Sequence, residues 1–244
     1  MRDVGDPPLL EVDIARKRYR GEQGELDVIA GLRFALPRGK VTCLLGPSGC
    51  GKTTALRIVM GLDRSYDGDV VPDVETLRLG VVFQDPRLLP WRSVEENVRL
   101  AAPDIGTAAL DALFAELALS EWRQHRPGAL SGGMARRVAV ARALAVAPDL
   151  LVLDEAFVSL DEQGADILRR FVFGAARARG TTILTVTHSL REALQYSDCI
   201  LVLAPRPTHV LERFDFDAAP EARNAEWIET ERSRLVAANP SLRS

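Results

Sequence analysis

The sequence predicts an α/β fold with a mainly parallel sheet. From residue 150 onward, short apolar runs alternate with helical stretches, the order that parallel strands and their covering helices impose. Earlier in the chain, residues 41–45 read as a buried strand. It runs without a linker into a glycine-rich turn and then a helix, one more unit of the same alternation. A third observation adds a second part: residues 88–147 have helical spacing for most of their length, so a mostly helical insert interrupts the series.

Each element has its own signal. Residues 9–19 and 26–36, broken at 21–24, predict an antiparallel pair that closes at Pro37, Arg38 and Gly39. Residues 1–8, acidic and Pro-containing, read as a loose terminus. Residues 53–62 have helical spacing with Gly61 near the end, and 77–83 read as a second buried strand. Ser93 and Glu96 form a capping-box pattern ahead of Val94, Val98 and Leu100. Leu110, Leu113, Phe114 and Leu117 repeat at the helical period within 107–119. Residues 132–147 are a further helix, stopped by Pro148. The series then runs strand 150–153, helix 162–179 closed by Gly180, strand 182–187, helix 189–196 capped by Ser189 and Glu192, and strands 199–203 and 210–216. The charged segment 220–244 predicts a helix anchored by Trp227, Ile228 and Leu235.

Composition narrows the function. Of the 244 residues, 47% are hydrophobic and 27% charged, ordinary usage for a packed globular chain. A net charge of −3 offers no basic field for nucleic acid. The longest apolar runs fall far short of the roughly 20 residues a membrane span requires, and no charged-then-apolar leader is read at the start. The expectation is a soluble, cytoplasmic protein. Cys43, Cys50 and Cys199 have neither CxxC spacing nor a neighbouring histidine pair, so neither a disulfide framework nor a zinc site is expected. Lys17, Lys40 and Lys52 are the only lysines among 31 basic residues, which gives the lysine at 52 added weight.

That lysine completes a full phosphate-binding pattern. Gly46, Pro47, Ser48, Gly49, Cys50, Gly51, Lys52, Thr53 and Thr54 match the P-loop, with a buried strand before and a helix after. The glycines let successive amides point at phosphate oxygens, and the helix adds its positive end. Lys52 can bridge the β- and γ-phosphates, and the Thr53 hydroxyl can ligate Mg²⁺. A Gly-rich turn of no special purpose is the alternative. A chance match to the whole pattern is on the order of 1% at ordinary Gly and Lys frequencies, which favours the nucleotide. The apolar run 150–153 ends in Asp154 and Glu155. Alone, these would read as solvated acids at a strand exit. After a P-loop they suit hydrolysis, with Asp154 in the Mg²⁺ shell and Glu155 orienting the attacking water.

Beyond these motifs, Leu130-Ser131-Gly132-Gly133-Met134 resembles the signature of the ABC ATPase family. Further matches follow in the family's order over roughly residues 9–216. Tyr19 corresponds to the aromatic that stacks on adenine, and Gln84 to the Q-loop glutamine at Mg²⁺ or water. Ser159-Leu160-Asp161 corresponds to the D-loop and His188 to the switch histidine. The resemblance implies a P-loop NTPase (ABC ATPase) core with a mainly parallel sheet, an N-terminal antiparallel β subdomain and a helical subdomain insert. It implies one domain over 1–244, with 9–87 and 148–216 as core, 88–147 as the helical subdomain carrying the signature, and 217–244 as a C-terminal extension. Met134 stands where many members carry Gln, and Ala156 where many carry Pro; neither removes a phosphate or metal ligand, so activity is expected to survive both.

The same resemblance implies ATP and Mg²⁺ as ligands and an ATP-dependent homodimer in which Ser131, Gly132 and Gly133 of one copy face the P-loop of the other. It implies an ATP-hydrolysing subunit of a membrane transporter, peripheral on the cytoplasmic face of the plasma membrane and paired with separate permease subunits. Leu88-Leu89-Pro90-Trp91 and the segment 157–161 resemble the bacterial importers of nitrate, sulfonate and taurine, which also need an extracytoplasmic solute-binding protein. Pyrimidine-precursor importers look similar. Trp91 reads either as a permease contact or as a core aromatic. A soluble iron–sulfur assembly ATPase is the alternative outside transport. A small-molecule kinase is disfavoured because it would have no use for Ser131, Gly132 and Gly133.

Overall fold

The structure is a computed structural model, and it describes residues 6–21, 24–158 and 160–243. The expected loose terminus at 1–8 and the break at 21–24 therefore lie partly outside the described residues, and Ser159 of the D-loop and Ser244 lie wholly outside them. In chain order the elements are β1 (Leu10–Gly21), β2 (Gly24–Leu36), β3 (Val41–Leu45), α1 (Lys52–Val59), β4 (Asp67–Val71) and β5 (Leu79–Val82). There follow α2 (Val94–Arg99), α3 (Thr107–Glu116), α4 (Gly132–Ala145), β6 (Leu150–Asp154), α5 (Glu162–Ala178), β7 (Thr182–Thr187), α6 (Leu190–Tyr196), β8 (Cys199–Leu203), β9 (Val210–Asp215) and α7 (Ala225–Ala238). The chain divides into two compact units, Met1–Thr76 with Thr182–Ser244, and Leu77–Thr181.

The first unit contains an antiparallel sheet in the order β2-β1-β4. β1 and β2 pair from Leu10 opposite Leu36 out to Gly21 opposite Gly24, with one register shift between Lys17 and Arg18. Leu10, Val12, Ile14, Leu32 and Leu36 are buried, while Arg16–Asp27 and Arg33–Asp13 form ion pairs on the exposed residues between them. This is the alternation expected of a sheet with one wet face. β4 has no counterpart among the sequence expectations. Asp-Gly-Asp-Val-Val has no apolar alternation, and its residues are exposed or half-buried; the strand forms through backbone pairing with β1. At Gly68 (φ +126°) a Cβ would run into the Asp13 carbonyl, so only glycine permits this pairing.

The same unit has a parallel group. β3 lies between β7 and β8, with Val41 opposite Ile183 and Thr42 opposite Cys199, and β9 adds antiparallel to β8. All five residues of β3 are buried, as a central parallel strand requires. α6, α7 and the turn after α7 cover one face of this group: Leu190, Leu194, Ile228, Leu235 and, beyond α7, Leu242 pack with Cys43, Leu45, Ile200, Phe214 and Phe216. The helix expected in the C-terminal segment is therefore present, with all three anticipated anchors inward. Trp227 stacks edge-on against Phe216 at 5.8 Å. The guanidinium of Arg223 packs near both rings and donates to Leu194 O and Ser197 O, tying α7 to the end of α6.

The second unit has the parallel pair β5–β6, with Leu79 opposite Leu150, and the helices α2 to α5. Gly80 lets α4 come close to β5, because a Cβ there would meet Ala143 O. Val94, Val98, Leu110, Phe114, Leu119 and Val138 form the helical core. The Ser93–Glu96 capping box is complete: Ser93 N donates to Glu96 Oε2 at 2.7 Å and Glu96 N to Ser93 Oγ at 3.2 Å. Leu100, expected on the apolar stripe of this helix, is 59% exposed, because α2 ends at Arg99. The inward position falls instead to Asn97, fully buried. Its side chain accepts from Leu89 N at 2.8 Å and donates to Ser93 O at 2.9 Å, fixing the turn before the helix. Trp91, on that turn, is 65% exposed, which removes the core-aromatic reading.

Candidate functional site

In the first unit, β3 delivers the chain into the glycine-rich loop and α1 takes it out, starting at Lys52 itself. Gly49 and Gly51 have φ of +74° and +120°, values side chains rarely adopt. At Gly51 a Cβ would also lie 2.5 Å from Thr208 Oγ1. That hydroxyl donates to Cys50 O, so the loop is pinned from β9's side of the unit. At Gly46 a Cβ would stand 3.2 Å from Cys50 Sγ and from Leu203 Cβ. The loop is thus shaped by its glycines from within and held by its neighbours from without.

Lys52 is 5% exposed, and its ammonium donates to Gly46 O at 2.6 Å and Pro47 O at 2.9 Å, curling over the loop. Pro47, Ser48, Gly49 and Thr53 are exposed, Thr54 is half-buried, and Cys50 is buried. Thr53 lies in the first turn of α1, where the backbone amides lack helical partners. An anion is stabilised at such an end. His188 follows β7 directly and is exposed.

Tyr19, on β1, is 40% exposed and held in place from two directions. Its hydroxyl donates to Asp63 Oδ2 at 3.2 Å, and the Lys17 ammonium lies 4.6 Å from its ring centroid. Lys17 is itself 3% exposed and bonded to Asp63 Oδ1 at 2.8 Å and Ser65 O at 2.6 Å. Burial raises the Asp63 pKa, but the hydrogen bonds from Lys17 and Ser65 N together outweigh it, and the carboxyl sits below its ordinary range. Sequence reading missed Lys17 and Asp63, since neither belongs to a recognisable spacing.

The second unit holds the remaining predicted residues. β6 ends at Asp154, half-buried, and Glu155 follows with φ +45°. A non-glycine residue in the left-handed region is a strained position, of a kind that collects at functional sites. Ala156 and Phe157 beyond it are buried, and Phe157 packs on Phe173. Gln84 is exposed just after β5. Ser131 is the N-cap of α4, its Oγ accepting from Met134 N at 3.2 Å, and Gly132 and Gly133 form the first helical turn. Asp161 caps α5 in the same way, accepting from Gly164 N at 3.0 Å. Ser131 and Asp161 thus have structural duties that their motif reading did not include.

The three cysteines are buried free thiols. Burial drives the Cys43 thiol far up from its usual range and pushes Cys199 up to about 12, so these two are neutral.

An α/β fold whose buried parallel strand feeds a pinned glycine loop and a lysine-started helix is that of a P-loop NTPase. A family model described as ABC transporter matches residues 29–158. An aliphatic sulfonates import ATP-binding protein of Burkholderia cenocepacia (strain HI2424) is 40% identical over 238 residues, 94% of this chain and 87% of that protein. A protein of the same description from Pseudomonas aeruginosa (strain UCBPP-PA14) is 38% identical over 230 residues, 89% of this chain and 91% of that one. Among solved structures, an ATP binding subunit of an ABC transporter has a TM-score of 0.74 at 26% identity, covering 86% of this chain and 90% of its own. A dimeric ATP-binding cassette in a post-hydrolysis state, bound to ADP and Pi, has a TM-score of 0.75 at 24% identity, covering 86% of this chain and all of its own, a likeness of fold. The chain belongs to the ABC transporter family.

Proposed function

We propose that the chain is the ATP-hydrolysing subunit of an importer for a small organic anion of the alkanesulfonate type. The observation that carries this is the 40% identity to an aliphatic sulfonates import ATP-binding protein, spread over 94% of this chain. Among the described residues no helix is long and apolar enough to cross a membrane, so the pathway would belong to separate permease chains. A solute-binding protein outside the membrane would complete an importer of this class. The exposed Trp91, in the segment that resembles such importers, supports contact with a permease on the cytoplasmic side. The iron–sulfur assembly alternative is not favoured, since both similar relatives are named import proteins.

In this reading, Tyr19 stacks on adenine and the amides of residues 46–54 wrap the phosphates. Lys52 exchanges its two loop carbonyls for β- and γ-phosphate oxygens. Glu155 orients the attacking water and accepts its proton. The water oxygen bonds to the γ-phosphorus as the bond to the ADP oxygen breaks, releasing ADP and phosphate. His188 donates to the γ-phosphate, and the positive charge around it stabilises the transferring group. Mg²⁺, when bound, would neutralise phosphate charge. The hydroxyl of Thr53, the amide oxygen of Gln84 and the carboxylate of Asp154 are hard oxygen donors that fit it. Ser131, Gly132 and Gly133 at the start of α4, with Asp161, would close over ATP held by a second copy. A dimeric cassette among the structural neighbours supports this.

Two measurements test the reading. Glu155→Gln should abolish steady-state hydrolysis while retaining ATP affinity, and should accumulate as an ATP-bound dimer by gel filtration; turnover at the wild-type rate would remove Glu155 from the chemistry. A tagged chain recovered from native membranes in mild detergent should bring down a polytopic membrane protein. Recovery of soluble assembly factors alone would overturn the transport assignment.

A further inference from the structure

The signature helix does more than present its N-terminus. Arg136, one turn into α4, is 4% exposed, and among the described residues it forms no ion pair. Its guanidinium instead donates through Nη1 to Phe83 O and through Nη2 to Gln84 O. Six residues further along α4, Arg142 donates through Nη1 to Arg87 O and through Nη2 to Pro86 O, each at 2.8 Å. Two arginines of one helix therefore hold four carbonyls of the five-residue stretch 83–87. That stretch has little regular structure of its own: β5 ends at Val82, and Arg87 has φ +49°.

Burying a guanidinium is costly unless its donors are satisfied, and burial indeed lowers the Arg136 pKa, partly offset by Asp85. A planar fork reaching two successive carbonyls fixes both the position and the tilt of the peptide that carries Gln84. A lysine, with a point charge on a flexible stem, cannot fix both. We propose that Arg136 is a positioning residue for ATP hydrolysis. It locks the Gln84 backbone to the helix that begins at Ser131, so that the side-chain amide of Gln84 and the Ser131 end of α4 are set by one rigid piece. The proposal rests on the ATPase reading of Gln84 given above.

The test is a double-mutant cycle on the purified full-length chain with Mg-ATP, reading kcat, KM and Tm. Arg136→Met keeps the stem and removes the donors, while Gln84→Ala removes the side chain but leaves the carbonyl that Arg136 holds. Arg136→Met is expected to lower kcat about ten- to a hundredfold with KM little changed, the cost of a misplaced group. In the Gln84→Ala background the same substitution should lower kcat by less than twofold, while its effect on Tm stays the same in both backgrounds. Should Arg136→Met not fold, Arg136→Lys carries the test, with a smaller kcat loss that likewise vanishes in the Gln84→Ala background. If Gln84→Ala is slow and the arginine substitution lowers kcat by its full factor on top, Arg136 is only a structural brace and the proposal fails while the role of Gln84 stands. If Gln84→Ala hydrolyses ATP at the wild-type rate, the role of Gln84 fails and the proposal with it.

Discussion

Gly51 combines a φ of +120° with a Thr208 hydroxyl 2.5 Å from where a methyl group would stand. Gly51→Ala should therefore cost about 1–3 kcal/mol from the backbone alone, before any shift of Thr208. Calorimetry should show a lower Tm, and titration with a fluorescent ATP analogue should show weakened binding; unchanged values would mean the loop has more freedom than its packing indicates. The pattern of glycines around Lys52 was plain in the sequence because phosphate chemistry dictates both residue type and spacing. The partners that hold the loop and Tyr19 in place, Thr208, Asp63 and Lys17, were not. They come from distant positions, and nothing local distinguishes a threonine or aspartate that will meet such a partner from one that will face water.

Elements whose formation depends on local rules were legible. The Ser93–Glu96 capping box and the Ser189 cap follow from side chains within a turn of one another, and the helix of the C-terminal segment from apolar anchors two turns apart. β4 was not legible, because an exposed edge strand with Asp-Gly-Asp at its start is specified by the strand it joins. Leu100 misled for a related reason: periodicity continued past the point where the helix stops. Within the helical part, Glu95 joins α2 to the segment after α3, bonded to Arg99 at 2.7 Å and to Arg123 at 2.9 Å. The Arg99 bond first, and then the Arg123 bond, hold its carboxyl below the ordinary glutamate range. A depressed carboxylate contributes stability that is present above the unfolded pKa of about 4.3 and is lost as pH falls through the folded value. The Tm difference between wild type and Glu95→Gln should accordingly be largest near neutrality and shrink below about pH 4.3. A difference that stays constant down to acid pH would deny the ion pairs that role.

At the scale of the whole chain, the parallel strands were readable because burial on both faces leaves continuous apolar runs, as in Leu150–Asp154 and Cys199–Leu203. The C-terminal segment belongs to this core. Leu235 is fully buried among Leu194, Phe214 and Ile228, so Leu235→Ala should destabilise by about 2–5 kcal/mol. Denaturant unfolding measures this, and a loss below about 1 kcal/mol would mean that α7 is dispensable packing.

The three lysines carry a practical consequence. Lys17 and Lys52 are 3% and 5% exposed, each with its ammonium held by the protein's own oxygens, whereas Lys40 is exposed in the turn between β2 and β3. Reagents that acylate side-chain amines should therefore find a single target, Lys40. Peptide mapping after acylation should find Lys40 modified and Lys17 and Lys52 intact, which gives the chain one addressable lysine side chain without engineering the sequence.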